Sequence, residues 1–331
     1  MNDLERLIRK GEALMERIEA ALPPLPPKTE WDAHVAFRWR KSNGRSFIQA
    51  VAHPHQIRLA DLRDIDAQKE LIENNTRQFV AGRPANNVLL TGARGTGKSS
   101  LVKALLNKYH RRRLRLIEVE KQDLIDLPDI VDLVAARSER FILFCDDLSF
   151  EASEPGYKAL KVALDGSIAS ASDNVLVYAT SNRRHLMPEY MQENLETKYI
   201  GEEIHPGETV EEKISLSERF GLWVSFYPFD QDAYIDIAGH WLRTLGCPEE
   251  RIAEARQPAI QWALSRGSRS GRVAWQFARD WAGREAGRVS RSESSGESNA
   301  GRSAAARRRS AGPARAAARR PVRAAAKSRR R

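Results

Sequence analysis

The feature that most constrains the fold is an eight-residue run, Gly92–Ser99, which matches the pattern G-x-x-x-x-G-K-[ST] in full. It follows a short apolar segment, Val88–Leu90, and precedes a segment with helical spacing, Leu101–Tyr109. A strand, a glycine-rich turn and a helix in this order direct backbone N–H groups and the positive end of the helix toward one anion. The run therefore predicts a phosphate-binding loop.

The loop chemistry assigns roles to individual side chains. Lys98 is expected to reach the β- and γ-phosphates of a nucleotide, and the Ser99 hydroxyl is expected to ligate Mg²⁺. The residues predicted to bind the nucleotide are Gly92, Ala93, Arg94, Gly95, Thr96, Gly97, Lys98, Ser99 and Ser100.

Two carboxylates follow a second apolar segment, Phe141–Cys145. Carboxylates at the carboxyl edge of a parallel sheet face the same crevice as a phosphate-binding loop. We therefore expect Asp146 to hold Mg²⁺, through water, and Asp147 to orient and deprotonate an attacking water. Cys145 is expected to be a core residue, because nothing near it in the sequence would activate a thiolate.

A third apolar segment, Val175–Ala179, ends in the polar triplet Thr180-Ser181-Asn182. An amide there could bind the γ-phosphate or the water, and an ordinary turn is the alternative interpretation. Strands alternate with helical patterns from residue 57 to about 228, which predicts a mainly parallel α/β sheet.

The ordered set of these motifs resembles the AAA+ P-loop ATPases, over residues of about 57–283. The resemblance implies ATP and Mg²⁺ as cofactors, a parallel five-stranded sheet and a small helical lid. It matches Asn182 to the family's first nucleotide sensor. It matches Arg219, within Ser217–Leu222, to the arginine finger. It matches Arg272 to the second sensor, with Arg269 in reserve.

Two further runs bear on the resemblance. Leu62–Lys69 resembles the element that touches adenine, but has Asp64 where glycine is common. Pro84–Leu90 and Ser217–Phe220 look most like a bacterial ATP-binding family of unknown function.

The pattern along the chain predicts five segments. They are an amphipathic helix (1–22), a Pro-rich spacer with a β-hairpin (23–56), the nucleotide-binding domain (57–228), the lid (229–283) and a disordered basic tail (284–331). The first helix could serve oligomerisation or partner docking, but its two to three heptads favour packing on the chain's own body.

The net charge of +10 belongs to the tail. Of the 54 Lys and Arg residues, twelve lie in 301–331, which has no acid, so 42 face 44 acids in 1–300, a charge of about −2. This excludes a basic globular domain that clamps nucleic acid. The tail itself could bind DNA or another polyanion, or be a solubilising extension.

The sequence has no apolar run of about 18 residues and only two cysteines, which predicts a cytoplasmic protein without a membrane span. The leading hypothesis is an ATPase that forms a ring, for example a hexamer, and remodels a protein or other macromolecular client. The alternatives are a slow ATP-dependent switch or loader on DNA and, less favoured, a P-loop kinase.

Overall fold

The computed structural model describes residues 3–21, 29–150, 155–165, 173–183, 198–200, 203–205 and 218–284. The chain separates into two units, Met1–Arg279 and Asp280–Arg331, and the second is described only over 280–284. The Pro-rich spacer and the basic tail, with the prediction that the tail is disordered, lie outside the described residues, as does most of 184–217.

Nine strands are described: β1 (Ala36–Ser42), β2 (Arg45–Ala50), β3 (Val88–Gly92), β4 (Leu114–Glu118), β5 (Arg140–Cys145), β6 (Val175–Ser181), β7 (Lys198–Ile200), β8 (Glu203–His205) and β9 (Leu222–Phe226). The helices are α1 (Asp3–Ala21), α2 (Asp66–Val80), α3 (Lys98–Tyr109), α4 (Leu127–Ala135), α5 (Pro155–Asp165), α6 (Gln231–Thr244), α7 (Glu249–Glu254) and α8 (Arg256–Ser265). Short 3-10 turns cover Leu59–Asp61, His110–Arg112 and Lys121–Asp126. Residues 271–279, here α9, are also helical.

The main sheet has the order β2-β1-β4-β5-β6-β3-β9. Its parallel part, β4-β5-β6-β3-β9, is the five-stranded AAA+ sheet that the resemblance implies. The count of five is nevertheless wrong, because the predicted hairpin extends the sheet to seven strands. β1 pairs in parallel with β4, with Ala36 opposite Leu116, and antiparallel with β2. The alternation of residues predicts a hairpin but cannot reveal this distant partner.

The core occupies both faces of the sheet, because alternate residues of each strand point to opposite sides. In β5, Phe141 and Leu143 pack with α4 and α5, whereas Ile142 and Phe144 pack with α2 and α3. The hairpin joins the first of these layers through buried Phe37 and Trp39. This three-layer arrangement fixes the carboxyl ends of the central strands, where the predicted site residues lie.

The lid is a small helical cluster that follows β9. Its first helix, α6, is capped by Asp230, whose carboxylate accepts a hydrogen bond from the backbone N–H of Ala233 at 2.8 Å. The buried Tyr234 hydroxyl donates to the Ala259 carbonyl of α8 at 3.2 Å. The rings of Trp241 and Trp275 meet edge to face at 4.7 Å, which ties α6 to α9.

Helix α1 forms as the sequence predicts, but its surroundings differ from the prediction. Its side chains from Leu4 to Arg17 are all exposed, so over these residues the favoured packing on the chain's own body is not present. Helical periodicity predicts an apolar stripe without specifying what covers it. Over the described residues, we find no helix with the length and apolar character that crossing a bilayer requires.

Candidate nucleotide-binding site

The glycine-rich run forms a tight loop between β3 and α3 whose shape only glycine allows. Gly92, Gly95 and Gly97 have φ values of 126°, 74° and 101°, all in the left-handed region. A Cβ on Gly92 would lie 1.9 Å from the carbonyl oxygen of Phe226, so the strand next to it excludes any side chain there. The chain therefore enters α3 through a turn whose backbone N–H groups are available to an anion.

Lys98 is the first residue of α3 and is buried, with 5% of its surface exposed. Its ammonium donates hydrogen bonds to the carbonyl oxygens of Gly92 and Ala93, both at 2.8 Å, and to Oδ1 of Asn182 at 3.1 Å. Burial lowers the pKa of Lys98, while the charge of Asp146 opposes the shift. The loop thus holds a desolvated cation at its centre, as phosphate recognition requires.

Ser99 and Asp146 form a pair beside this lysine. The Ser99 hydroxyl donates to Oδ1 of Asp146 at 2.6 Å. A hydroxyl and a carboxylate are oxygen donors of the kind that Mg²⁺ takes together with substrate phosphates and water. The residues present therefore fit the ion that the fold implies. Ser100, the next residue of α3, is partly buried.

Asp147 is exposed and has a φ of 53°, in the left-handed region. Its carboxylate accepts a hydrogen bond from the side-chain amide of Asn182. Asn182 therefore joins Lys98 to Asp147, which brings together three predicted site residues from two strand ends and a helix. By contrast, Cys145 is fully buried, and burial raises the pKa of its thiol to about 12, which confirms it as a core residue.

Thr180 is a site residue that sequence reasoning missed. Its hydroxyl donates to Oδ1 of Asp146 at 2.6 Å and accepts from the backbone N–H of Asp147 at 2.9 Å. The backbone carbonyl of Thr180 also accepts from the N–H of Leu148 at 2.7 Å. Its position in the triplet Thr180–Asn182 was the only available signal.

The lid contacts the loop directly. The N–H of Gly271 donates to the carbonyl of Gly95 at 2.8 Å, and Ser270 packs against the α-carbon of Gly95. Arg272 lies next in sequence, and its charge further lowers the pKa of Lys98, after the effect of burial. A cavity of about 550 Å³ opens between loop and lid, lined by Ala93, Arg94, Thr96, Pro228, Phe229, Ala263, Leu264, Gly267, Ser268 and Arg269.

The element resembling an adenine contact lies against the same loop. The side chains of Leu62 and Ile65 face the α-carbon of Gly97. Asp64 has a φ of 59°, which explains why glycine is common there and why aspartate, one of the residues that tolerates this region, can replace it. Arg63 pairs with Asp236 of α6 at 2.9 Å and so links this element to the lid.

Arg219 is the one predicted site residue that the fold keeps away from the loop of its own chain. It lies, partly buried, just before β9, whose strand of five residues runs parallel to β3. The loop follows the other end of β3, so Arg219 and the loop are separated by the length of a strand, about 16 Å.

A family model described as "Protein of unknown function (DUF815)" matches residues 32–285. The chain belongs to this family. The match covers the hairpin, the sheet and the lid of this DUF815 member. No curated protein matches it.

Among solved structures, the DUF815 chain is similar to a chain of the Escherichia coli MS115-1 HORMA:CdnC:Trip13 complex, at 15% identity and a TM-score of 0.44, over 68% of this chain and 91% of that one. It is similar to the Thermotoga maritima RuvB Holliday junction branch migration motor, at 13% identity and a TM-score of 0.40, over 68% and 70%. It is also similar to the Aeropyrum pernix ORC1 protein in complex with DNA, at 14% identity and a TM-score of 0.42, over 65% and 58%. The AAA+ fold of the chain rests on its own strand order, loop and lid.

Proposed function

We propose that this protein binds ATP with Mg²⁺ and hydrolyses it, and that it couples hydrolysis to remodelling of a macromolecular client. One observation carries the proposal. A hydrogen-bonded chain runs from Lys98 through Asn182 to Asp147, beside the Ser99–Asp146 pair. A phosphate-binding cation, a metal-ligand pair and a carboxylate base are the parts that phosphoryl transfer to water requires.

Each of these site residues has one task in the proposed hydrolysis. The loop N–H groups and Lys98 bind the phosphates, and Ser99 with Asp146 holds the ion. Asp147 accepts the proton of the attacking water. Asn182 orients Lys98 and Asp147, to which it is hydrogen-bonded. When bound by Ser99 and Asp146, Mg²⁺ would neutralise charge on the phosphate oxygens. Arg272, at the start of α9, stabilises charge on the transferred phosphoryl group from the lid side, while Ala93, Arg94 and Thr96 face the cavity.

We propose that Arg219 acts on the site of a neighbouring copy within a ring. Its separation from the loop of its own chain by a strand length supports action between subunits. A guanidinium aimed at the γ-phosphate contributes about 10³–10⁵ in rate. Arg219→Ala and Lys98→Ala chains, each inactive alone, should regain activity when mixed. The absence of rescue at any mixing ratio would count against the ring.

A second candidate is a slow ATP-dependent switch or loader on DNA. It is favoured by the Asp147 carboxylate, which is one methylene shorter than glutamate and already hydrogen-bonded to Asn182. Turnover in the tens per second would exclude it. Its DNA contact would be the basic tail, so a chain ending at Arg284 should lose salt-dependent DNA affinity. The kinase alternative would be excluded if the chain hydrolyses ATP in the absence of any phosphoryl acceptor.

The proposed compartment is the cytoplasm, in keeping with two cysteines in 331 residues. The client can be sought by purifying the Asp147→Asn chain with ATP. Candidate clients are the proteins or nucleic acids that co-purify with the Asp147→Asn chain but do not co-purify with the Lys98→Ala chain.

A further inference from the structure

Helix α1 presents an apolar stripe to solvent. Leu4, Leu7, Ile8, Leu14 and Met15 lie on one side of the helix and are between 52% and 69% exposed. Gly11 lies in the middle of the stripe, and a Cβ there would meet nothing within 4 Å. Most helices in proteins derive their stability from packing of the apolar face, and over these residues α1 has no such packing. The stripe therefore calls for a partner.

Over residues 4–17, whose side chains the structure describes, the charges beside the stripe are sorted by sign. At about 100° per residue, Glu5, Glu12 and Glu16 follow one edge of the stripe. The other edge is followed by Arg6, Lys10 and Arg17. We call these the acidic flank and the basic flank. All six side chains are exposed.

This sorting makes the helix complementary to a copy of itself in one orientation. When two identical helices face each other in parallel, the two-fold axis runs along them, and each flank of one meets the opposite flank of the other. The acidic flank then meets the basic flank on both sides. In an antiparallel pair each flank meets its own kind, which places Glu against Glu and Arg against Arg or Lys.

We propose that α1 is a self-association helix, which pairs in parallel with α1 of a second copy of this chain through the apolar stripe and the two flanks. The stripe is too short for a tight coiled coil, so the pair is weak and depends on a high local concentration. The proposal does not require nucleotide binding or hydrolysis. A ring of ATPase domains would supply the local concentration and would gain a second contact between subunits.

A membrane surface fits the helix less well. Helices that lie on anionic membranes carry Lys and Arg over their polar face. Here one whole edge of the apolar stripe is acidic, so a negatively charged surface would be repelled along that edge.

Orientation can be read from disulfide crosslinking of the full-length chain. Leu4→Cys and Met15→Cys chains, carrying different tags, are oxidised mildly, alone and mixed, beside the unsubstituted chain. In a parallel pair the same position meets itself, so Leu4→Cys and Met15→Cys should each form homodimers. The crossed product should be rare, because the two positions are about 17 Å apart along the helix and a disulfide spans about 4.4–6.8 Å between α-carbons. A dominant crossed product, or no crosslink at all, overturns the proposal.

Charge reversal tests the flanks. In a Leu4→Cys background, Glu5→Lys with Glu12→Lys and Glu16→Lys makes both flanks basic, and Arg6→Glu with Lys10→Glu and Arg17→Glu makes both flanks acidic. Each alone should crosslink about tenfold more slowly, and a mixture of the two should regain the original rate as a heterodimer. Arg9→Glu, on the side opposite the stripe, is the matched control and should change nothing.

Two results would overturn the role of the flanks. One is a mixture that crosslinks no faster than its components. The other is helix-dependent binding to phosphatidylserine vesicles in place of crosslinking. Both readouts are independent of ATP turnover, so a chain that proves to hydrolyse nothing would leave this test unaffected.

Discussion

The hydroxyl of Thr180 donates a hydrogen bond to Oδ1 of Asp146 at 2.6 Å. The same hydroxyl accepts the backbone N–H of Asp147, and Asp146 Oδ1 also receives the Ser99 hydroxyl. Thr180 is 2% exposed, so its side chain is held by packing on every side. One buried residue of β6 thus sets the positions of the two carboxylates that follow β5.

Thr180→Val keeps the shape of the side chain but removes both hydrogen bonds. We expect kcat for ATP hydrolysis to fall about tenfold or more with KM changed little, because the carboxylates act mainly in the chemical step. The unpaired N–H of Asp147 should also lower the free energy of unfolding by about 1–3 kcal/mol. Steady-state kinetics and urea unfolding measure both. Thr180→Ser, which keeps the hydroxyl, should retain most activity, and equal rates for the two variants would refute the positioning role.

Asp147→Asn should separate binding from hydrolysis. The amide keeps the size of the side chain but cannot accept a proton, so turnover should fall about 10²–10⁴-fold while ATP still binds. Nucleotide binding and phosphate release are measured on the same samples. Asp129→Asn, an exposed position on α4, controls for loss of charge and should behave as the parent chain. Unchanged turnover in Asp147→Asn would remove Asp147 from the catalytic role.

Gly95 and Gly44 offer a matched pair of glycines. Their φ values are 74° and 73°, so alanine meets nearly the same backbone strain at both. Only at Gly95 would the new Cβ also meet the Ser270 side chain, at 2.8 Å, whereas a Cβ on Gly44 would meet nothing within 4 Å. Gly95→Ala should therefore lower the free energy of unfolding more than Gly44→Ala does. Gly95→Ala should also lower the affinity for ATP. Thermal unfolding and nucleotide titration measure the two effects, and equal losses would contradict the contact between loop and lid.

Lys98 should make stability depend on pH in a defined direction. Burial lowers its pKa in the folded protein below the ordinary value of 10.5. Between the folded pKa and 10.5 the unfolded chain binds a proton that the folded chain has released, so the free energy of unfolding rises with pH. The unfolding free energy of the parent chain minus that of Lys98→Met should therefore increase as the pH is raised from neutral toward 10.5. A difference that falls over this range would show that Lys98 is not desolvated.

The parts of the site that the sequence predicts are those set by local rules. Gly92 and Gly97 are required by the loop backbone itself, and Lys98 and Ser99 follow from their place at the start of α3. Asp146 was predictable because it ends an apolar strand. In each case, the residues on either side in the sequence carry the signal that predicts the role.

The parts that sequence reasoning missed depend on contacts between distant segments. The role of Thr180 arises because Cys145 pairs with Ala179, which brings the ends of β5 and β6 together. The two strands that extend the sheet from five to seven, β1 and β2, join it through the pairing of Ala36 in β1 with Leu116 in β4. The exposure of α1 could not be predicted, because its periodicity is the same whether the stripe is covered or not.

The central claim is that the loop around Lys98 binds and hydrolyses ATP. The direct measurement is ATP binding and phosphate release with Mg²⁺ for the parent chain, for Lys98→Ala and for Lys103→Ala, a lysine further along the same helix. We predict that the parent and Lys103→Ala bind and hydrolyse ATP alike and that Lys98→Ala does neither. A parent chain that does not bind ATP, or a Lys98→Ala chain as active as the parent, would contradict the account.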